Sequence, residues 1–433
     1  MADALARFAG IQPQVTVACR TPGEVAEAIA LAQRSGLHLA IRSGGHCFAG
    51  RSSTTGVVID VGPMNSISVG EGTATIGAGA RLGDVYDVLV EHRVTLAAGC
   101  GPTVGITGLA LGGGLGILGR RYGLLCDQLL AAQVVLADGS VVECDAEREP
   151  DLFWALRGAG GGQFGVVTRL TFRTVAVGAA TAFHVVWPFV QAGPLIDAWQ
   201  RWSPPAPDTL AASLVITSAA DVERPPAVNV FGSMIATAPE ASALIDDLVG
   251  RVGPPVSASV DQMSYRQVKR HLAAHGPGEG QAAEDAHGFS KSEFFRWPLP
   301  EEAIAGLVAG FGAGRVPGVA RELDFSPWGG AYNRVATDAT AFAHREELFL
   351  LKHGIAVEPG APEQPAREWL RRSWETVHPY GSGGVYPNFP DPELEGSDRA
   401  YHGANLERLQ RVKARYDPEE VFRFPQSLRP ARP

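Results

Sequence analysis

The stretch Ile41–Gly50, IRSGGHCFAG, constrains this chain more than any other. Leu39–Arg42 reads as a short strand that runs into Gly44 and Gly45 and then His46. The glycines permit positive φ and a close backbone approach to a ligand, and the histidine stands at the mouth of that approach. Alone, the stretch would be an ordinary turn ending in a polar residue. Two more glycine-rich loops accompany it, Gly99–Gly119 (GCGPTVGITGLALGGGLGILG) and Arg157–Val167 (RGAGGGQFGVV). The three loops, distant in sequence, are expected to converge on one extended ligand; a set of ordinary turns is the other reading.

Composition narrows what the ligand can be. With 433 residues the chain is long for one core, so two domains are expected. A formal net charge of −9 offers no basic face to nucleic acid or an anionic membrane. Phosphates would then be held mainly by backbone N–H groups. The N-terminal MADALARFAG lacks a signal-peptide core. The apolar run Val104–Leu118 is too short and too glycine-rich to span a bilayer, so a soluble cytoplasmic protein is expected. Five cysteines (Cys19, Cys47, Cys100, Cys126, Cys144) without CxxC spacing imply neither a disulfide framework nor a zinc site. His271 and His275 share a helical spacing, but Gly276-Pro277 follows at once, and no metal site is expected.

The first region alternates strand and helix signals. Val15–Ala18 reads as a strand, and Thr21-Pro22-Gly23-Glu24 as a helix start with a capping box. Strands are expected at Val57–Asp60, Ile67–Val69, Thr73–Gly77, Gln133–Leu136, Val141–Glu143 and Val166–Phe172, with a helix at Leu82–Glu91. Asp138-Gly139 marks a hairpin. After about Thr174 proline-started helices (Pro188–Trp202, Pro239–Val252, Pro300–Phe311) mix with strands (Leu210–Thr217, Val228–Ile235, Leu348–Val357). That texture predicts an antiparallel sheet covered on one face.

Gly114-x-Gly116-x-x-Gly119 and Gly160-x-Gly162-x-x-Gly165 imitate a dinucleotide fingerprint. Neither has the strand before and unbroken helix after that a nicotinamide site requires. Together with the C-terminal run Tyr401–Leu428, the three loops resemble the FAD-linked oxidases of the vanillyl-alcohol oxidase/PCMH superfamily, in particular the berberine-bridge-enzyme-like group. The resemblance implies an α+β fold: a PCMH-type FAD-binding domain of two α/β subdomains (residues 1–175), a substrate domain with a helix-covered antiparallel sheet (176–390), and a C-terminal segment returning to the first domain (391–433).

The same resemblance assigns residues. His46 would carry FAD covalently, a neutral imidazole nitrogen being a competent nucleophile. Arg42, Ser43, Gly44, Gly45 and Cys47 surround it, Cys47 reading as a buried structural thiol. From the second loop come Gly99, Cys100, Gly101, Thr103, Val104, Gly105, Gly108, Gly112, Gly113, Gly114 and Gly116. From the third come Gly162, Phe164, Gly165, Val166 and Val167. The family's second attachment uses a cysteine directly before the proline; here Gly101 stands there and Cys100 is one position early, so single attachment through His46 is expected. Tyr386 and Asn388, with Tyr380 next, resemble the pair flanking the flavin. On the strand ending at Val357, Lys352 shares a face with Leu350; it reads equally as a pocket base or as a solvated edge lysine. The implied activity is hydride transfer from a small organic substrate to FAD, with reoxidation by O2, in secondary metabolism and by a monomer or homodimer. A cyclase, a monooxygenase of the same fold or a pyridine-nucleotide dehydrogenase are the alternatives.

Overall fold

A computed structural model describes residues 5–275 and 285–431, so Gly276-Pro277 lie outside the described residues. In the first region Val15–Ala18 and Leu39–Arg42 pair in parallel with Val57–Asp60 between them. The helix Pro22–Arg34 joins the first two, its start capped by Thr21, whose side chain accepts from Glu24 N. Val25, Ala28, Ile29 and Ala32 bury its inner face against Val57 and Ile59. Next to this layer stands a five-stranded antiparallel sheet in the order Ile67–Gly70, Thr73–Gly77, Val166–Arg173, Leu129–Val135, Val141–Asp145. The Asp138-Gly139 turn joins its last pair, and Gly139 takes φ +83 as a hairpin turn of this kind demands.

The second region is one seven-stranded antiparallel sheet. Its order is Ser257–Ser264, Ala179–Pro188, Ala227–Met234, Leu210–Ser218, Val319–Pro327, Phe349–Val357, His287–Phe295. Strand alternation sends Leu214, Ile216, Leu323, Phe325, Phe349 and Leu351 to one face. There they form a core with Trp199, Ile245, Leu307 and Leu370 from four covering helices. The opposite face of the central strands carries Ser213, Phe231, Asp324, Ser326 and Lys352 and looks toward the first region.

Several expectations shift. Pro188 does not start a helix; it closes the strand Ala179–Pro188, and the helix is Ala192–Trp202 after a short 3-10 turn. The strands Ser257–Ser264, His287–Phe295 and Val319–Pro327 and the helix Glu363–Val377 had no sequence reading. Residues between the strands Val319–Pro327 and Phe349–Val357 leave the second region and dock on the first. Ala341 N and Phe342 N donate to the Trp154 and Arg157 carbonyls, and buried Arg345 pairs with Asp127 at 2.6 Å. The C-terminal helix Leu406–Tyr416 likewise returns to the first region. Its fully buried Lys413 Nζ donates to Asp417, to Gln163 O and to Phe422 O at 2.6–2.7 Å, pinning the third glycine loop. Among the described residues no helix is long and apolar enough to cross a membrane.

Candidate active site

Between the glycine loops and the free face of the large sheet lies a cavity of about 530 Å³, within the range of small-molecule sites. The first glycine loop enters at the end of the strand Leu39–Arg42. Gly44 there crosses Gly105 of the second loop so closely that a Cβ on Gly44 would stand 2.1 Å from Gly105 N, and one on Gly105 would stand 2.4 Å from Gly44 N. Ser43 Oγ donates to the Ala78 carbonyl and fixes the crossing. Gly45 has φ +78 and delivers His46 to the cavity wall. His46 is exposed to the cavity, yet partial desolvation, and then the charge of Arg81, hold the imidazole pKa below its ordinary value, which favours the neutral ring.

The glycines divide into two sets. Gly44, Gly45, Gly99, Gly101, Gly105, Gly108, Gly116, Gly162 and Gly165 line the cavity, joined by Gly161, which the sequence reading passed over. At Gly108 an added methyl would meet nothing within 4 Å, so the missing side chain is ligand space. Gly112, Gly113 and Gly114 face protein instead. A Cβ there would lie 2.1 Å from Asn388 Oδ1, 3.0 Å from Phe342 and 2.6 Å from Leu125, respectively. Gly112, and Gly113 with Tyr386 at 3.2 Å, thereby admit the loop carrying Tyr386 and Asn388.

That loop is held tightly. Gly114 N and Leu115 N donate to Tyr386 Oη at 2.9 and 3.0 Å. Asn388 Nδ2 donates to the same oxygen at 3.1 Å and to the Leu109 carbonyl at 2.9 Å. Burial pushes the phenol up to about 12, although these donors work the other way. Tyr386 therefore keeps its proton at neutral pH. Tyr332, stacked on Trp328, exchanges hydrogen bonds with Gly116 N and O.

Other assignments move. Tyr380 is 39% exposed and donates toward Glu302, away from the cavity. The Arg42 guanidinium braces the first loop through Ser52 O and Ser53 Oγ rather than facing the ligand. Thr103 is exposed, and Phe164 and Val166 are buried in the cores beneath the loops. Cys47 is half-buried and lines the cavity, so it is not the buried structural thiol expected; Val104, Val167 and Cys100 line it too. Lys352 faces the cavity, but as the partner of Glu322 at 2.7 Å. Burial opposes its charge, yet Glu322 and Asp324 outweigh that and raise its pKa, which favours the ammonium.

Three residues had not been singled out. Arg120, buried on the wall, donates to the carbonyls of Ser203, Pro204, Ala206 and Leu210 and clamps the two regions together. Lys269 reaches from the helix Tyr265–His275 to Tyr86 Oη and the Ala98 and Gly99 carbonyls, placing its ammonium 4.0 Å from Cys100 Sγ. Asp324 shares the wall with Ser326 and Lys352. Its signal was the alternation Glu322, Asp324, Ser326 against Leu323, Phe325.

Backbone kept bare along one side of a cavity suits a cofactor that lies against it, and together with the comparisons that follow it marks an FAD-dependent oxidoreductase. Residues 13–145 match the FAD binding domain family, and residues 385–429 match the family described as berberine and berberine like. The chain is 34% identical over 432 residues to the FAD-linked oxidoreductase YgaK of Bacillus subtilis (strain 168), covering 97% of this chain and 92% of the relative. It is 31% identical over 484 residues to the aclacinomycin-N/aclacinomycin-A oxidase of Streptomyces galilaeus, covering 98% and 86%. A solved chitooligosaccharide oxidase superposes with a TM-score of 0.86 at 26% identity, covering 100% of this chain and 94% of that one. The chain belongs to the berberine-bridge-enzyme-like FAD-linked oxidoreductases.

Proposed function

We propose that the protein is an oxidase that moves a hydride from a small organic substrate to FAD held covalently by His46, with O2 as the final acceptor. The observation that carries this reading is a neutral histidine on the wall of a cavity whose floor is bare glycine backbone. FAD, when bound, supplies a two-electron acceptor for the substrate C–H bond. His46 would hold it by one bond, and the Gly44–Gly105 crossing and Gly108 would leave it room along the floor. Tyr386, protonated and braced by two backbone N–H groups, would fix the loop beside the ring system and offer a hydrogen-bond donor. The family places a second bond on a cysteine one position later than Cys100, which is why attachment through His46 alone is the reading kept. Phe48, Phe231 and Phe389 on the walls favour a flat, largely apolar substrate, of the aromatic or polyketide kind met in secondary metabolism.

Acid-precipitated protein should remain yellow and His46→Ala should release its flavin to the supernatant. Peptide mapping should find flavin on the His46 peptide only. Complete loss of flavin from the acid-treated wild type would overturn the covalent link. Reduced protein exposed to air should return to the oxidised spectrum with one H2O2 formed per turnover.

A further inference from the structure

The free face of the large sheet carries an imbalance of charge. Glu322 and Asp324 project from one strand, and Lys352, the cross-strand partner of Asp324, projects from the next. Lys352 Nζ lies 2.7 Å from Glu322 Oε1 and is committed there. Asp324 is 93% buried, its relative exposure being 7%. It receives one hydrogen bond, from Ser326 Oγ to Oδ1 at 3.3 Å. Among the described residues nothing donates to its Oδ2, and no cation lies within 4.0 Å of the carboxylate. Its side chain is on the cavity wall. The strand on its other side places Val215 opposite it, which carries no charge.

Two carboxylates and one ammonium leave one negative charge in a largely apolar enclosure. An ionised carboxylate removed from water is costly unless paired. Burial accordingly pushes Asp324 up to about 6 despite the Lys352 charge. A hydroxyl would offer a hydrogen bond but leave the charge; an ammonium would complete both.

We propose that Asp324 is the receptor for a protonated amine on the substrate, so that the site selects amines with an aromatic or otherwise apolar body; the ammonium proton would pass to the Asp324 carboxylate before the neighbouring C–H hydride leaves for FAD and an iminium forms. The body would lie against Phe48, Phe231 and Phe389, which line the same cavity. The inference rests on the oxidase reading for what happens to the amine, but not for its binding.

Binding without turnover separates the two. Benzylamine and benzyl alcohol have the same shape, and benzylamine remains an ammonium from about pH 5 to about pH 8. Equilibrium dialysis of the flavin-loaded protein against each should show benzylamine binding that tightens about tenfold across that range as Asp324 ionises, while benzyl alcohol stays level. Asp324→Asn should abolish the tightening. Ser326→Ala, a milder change that removes the one hydrogen bond favouring the ionised form, should move the midpoint to higher pH. A level profile for benzylamine in the wild type, equal binding of the alcohol, or tightening that survives in Asp324→Asn would overturn the proposal. An absence of H2O2 from a protein that still shows the profile would instead count against the oxidase reading alone.

Discussion

On the floor of the cavity the chain approaches its ligand with backbone, and on the roof with ionised side chains. Gly44 and Gly105 cross with no room for a methyl group, and Gly112–Gly114 are filled by neighbouring residues. The roof, by contrast, is the outward face of a sheet whose stability lies on its other side, among Trp199, Phe325, Phe349 and their neighbours. Floor residues are therefore part of what holds the molecule together, whereas roof residues are free to serve the ligand at a cost to the fold.

Substitutions test that contrast directly. Gly105→Ala would put a methyl against incompressible backbone, where overpacking costs about 1–3 kcal/mol and sometimes more. It should lower both the urea midpoint and the flavin content; normal flavin loading in a folded variant would break the comparison. Tyr386→Phe strips the acceptor from two backbone N–H groups, and unpaired buried donors cost about 1–3 kcal/mol each, so it should lose stability with its flavin retained. Asp324→Asn should behave in the opposite sense. Burial pushes Asp324 up from an ordinary value of 3.8 to about 6. Below the ordinary value both folded and unfolded forms are protonated and the side chain is neutral in effect. Between the two values the unfolded chain ionises first, so stability falls as pH rises and stays reduced above about 6. Removing the carboxylate should raise stability on the order of 1–2 kcal/mol at pH 8 and hardly at all at pH 3.5. Equal effects at both pH values would show that the roof is not strained by charge.

The same contrast explains what the sequence revealed. The floor was legible because a backbone approach to a ligand demands glycine, and glycine leaves a mark in one dimension. Even there, the letters did not separate Gly108, which faces the open cavity, from Gly112–Gly114, which face Asn388, Phe342 and Leu125. The strands Val57–Asp60 and Thr73–Gly77 and the helix Leu82–Glu91 emerged with their observed bounds, since their periodicity is local. The roof was harder to read because its chemistry depends on which strands are neighbours. That Asp324 stands opposite Lys352, and Glu322 within its reach, follows from pairing between distant segments. Tyr380 illustrates the same limit: six residues from Tyr386, it is turned outward.

The cavity is also a matter of timing. Its lining begins at Leu39 and ends at Phe424, and the Lys413 clasp that pins the third glycine loop also gathers in the Phe422 carbonyl. A ribosome delivers these segments in order, so the pocket remains open on one side until the helix Leu406–Tyr416 and the residues after it have emerged. The nascent chain can assemble its first sheets early, yet it cannot enclose a prosthetic group until synthesis has passed Phe424. Enclosure of the cavity therefore waits for that last segment, and a chain interrupted before it would lack a closed wall there.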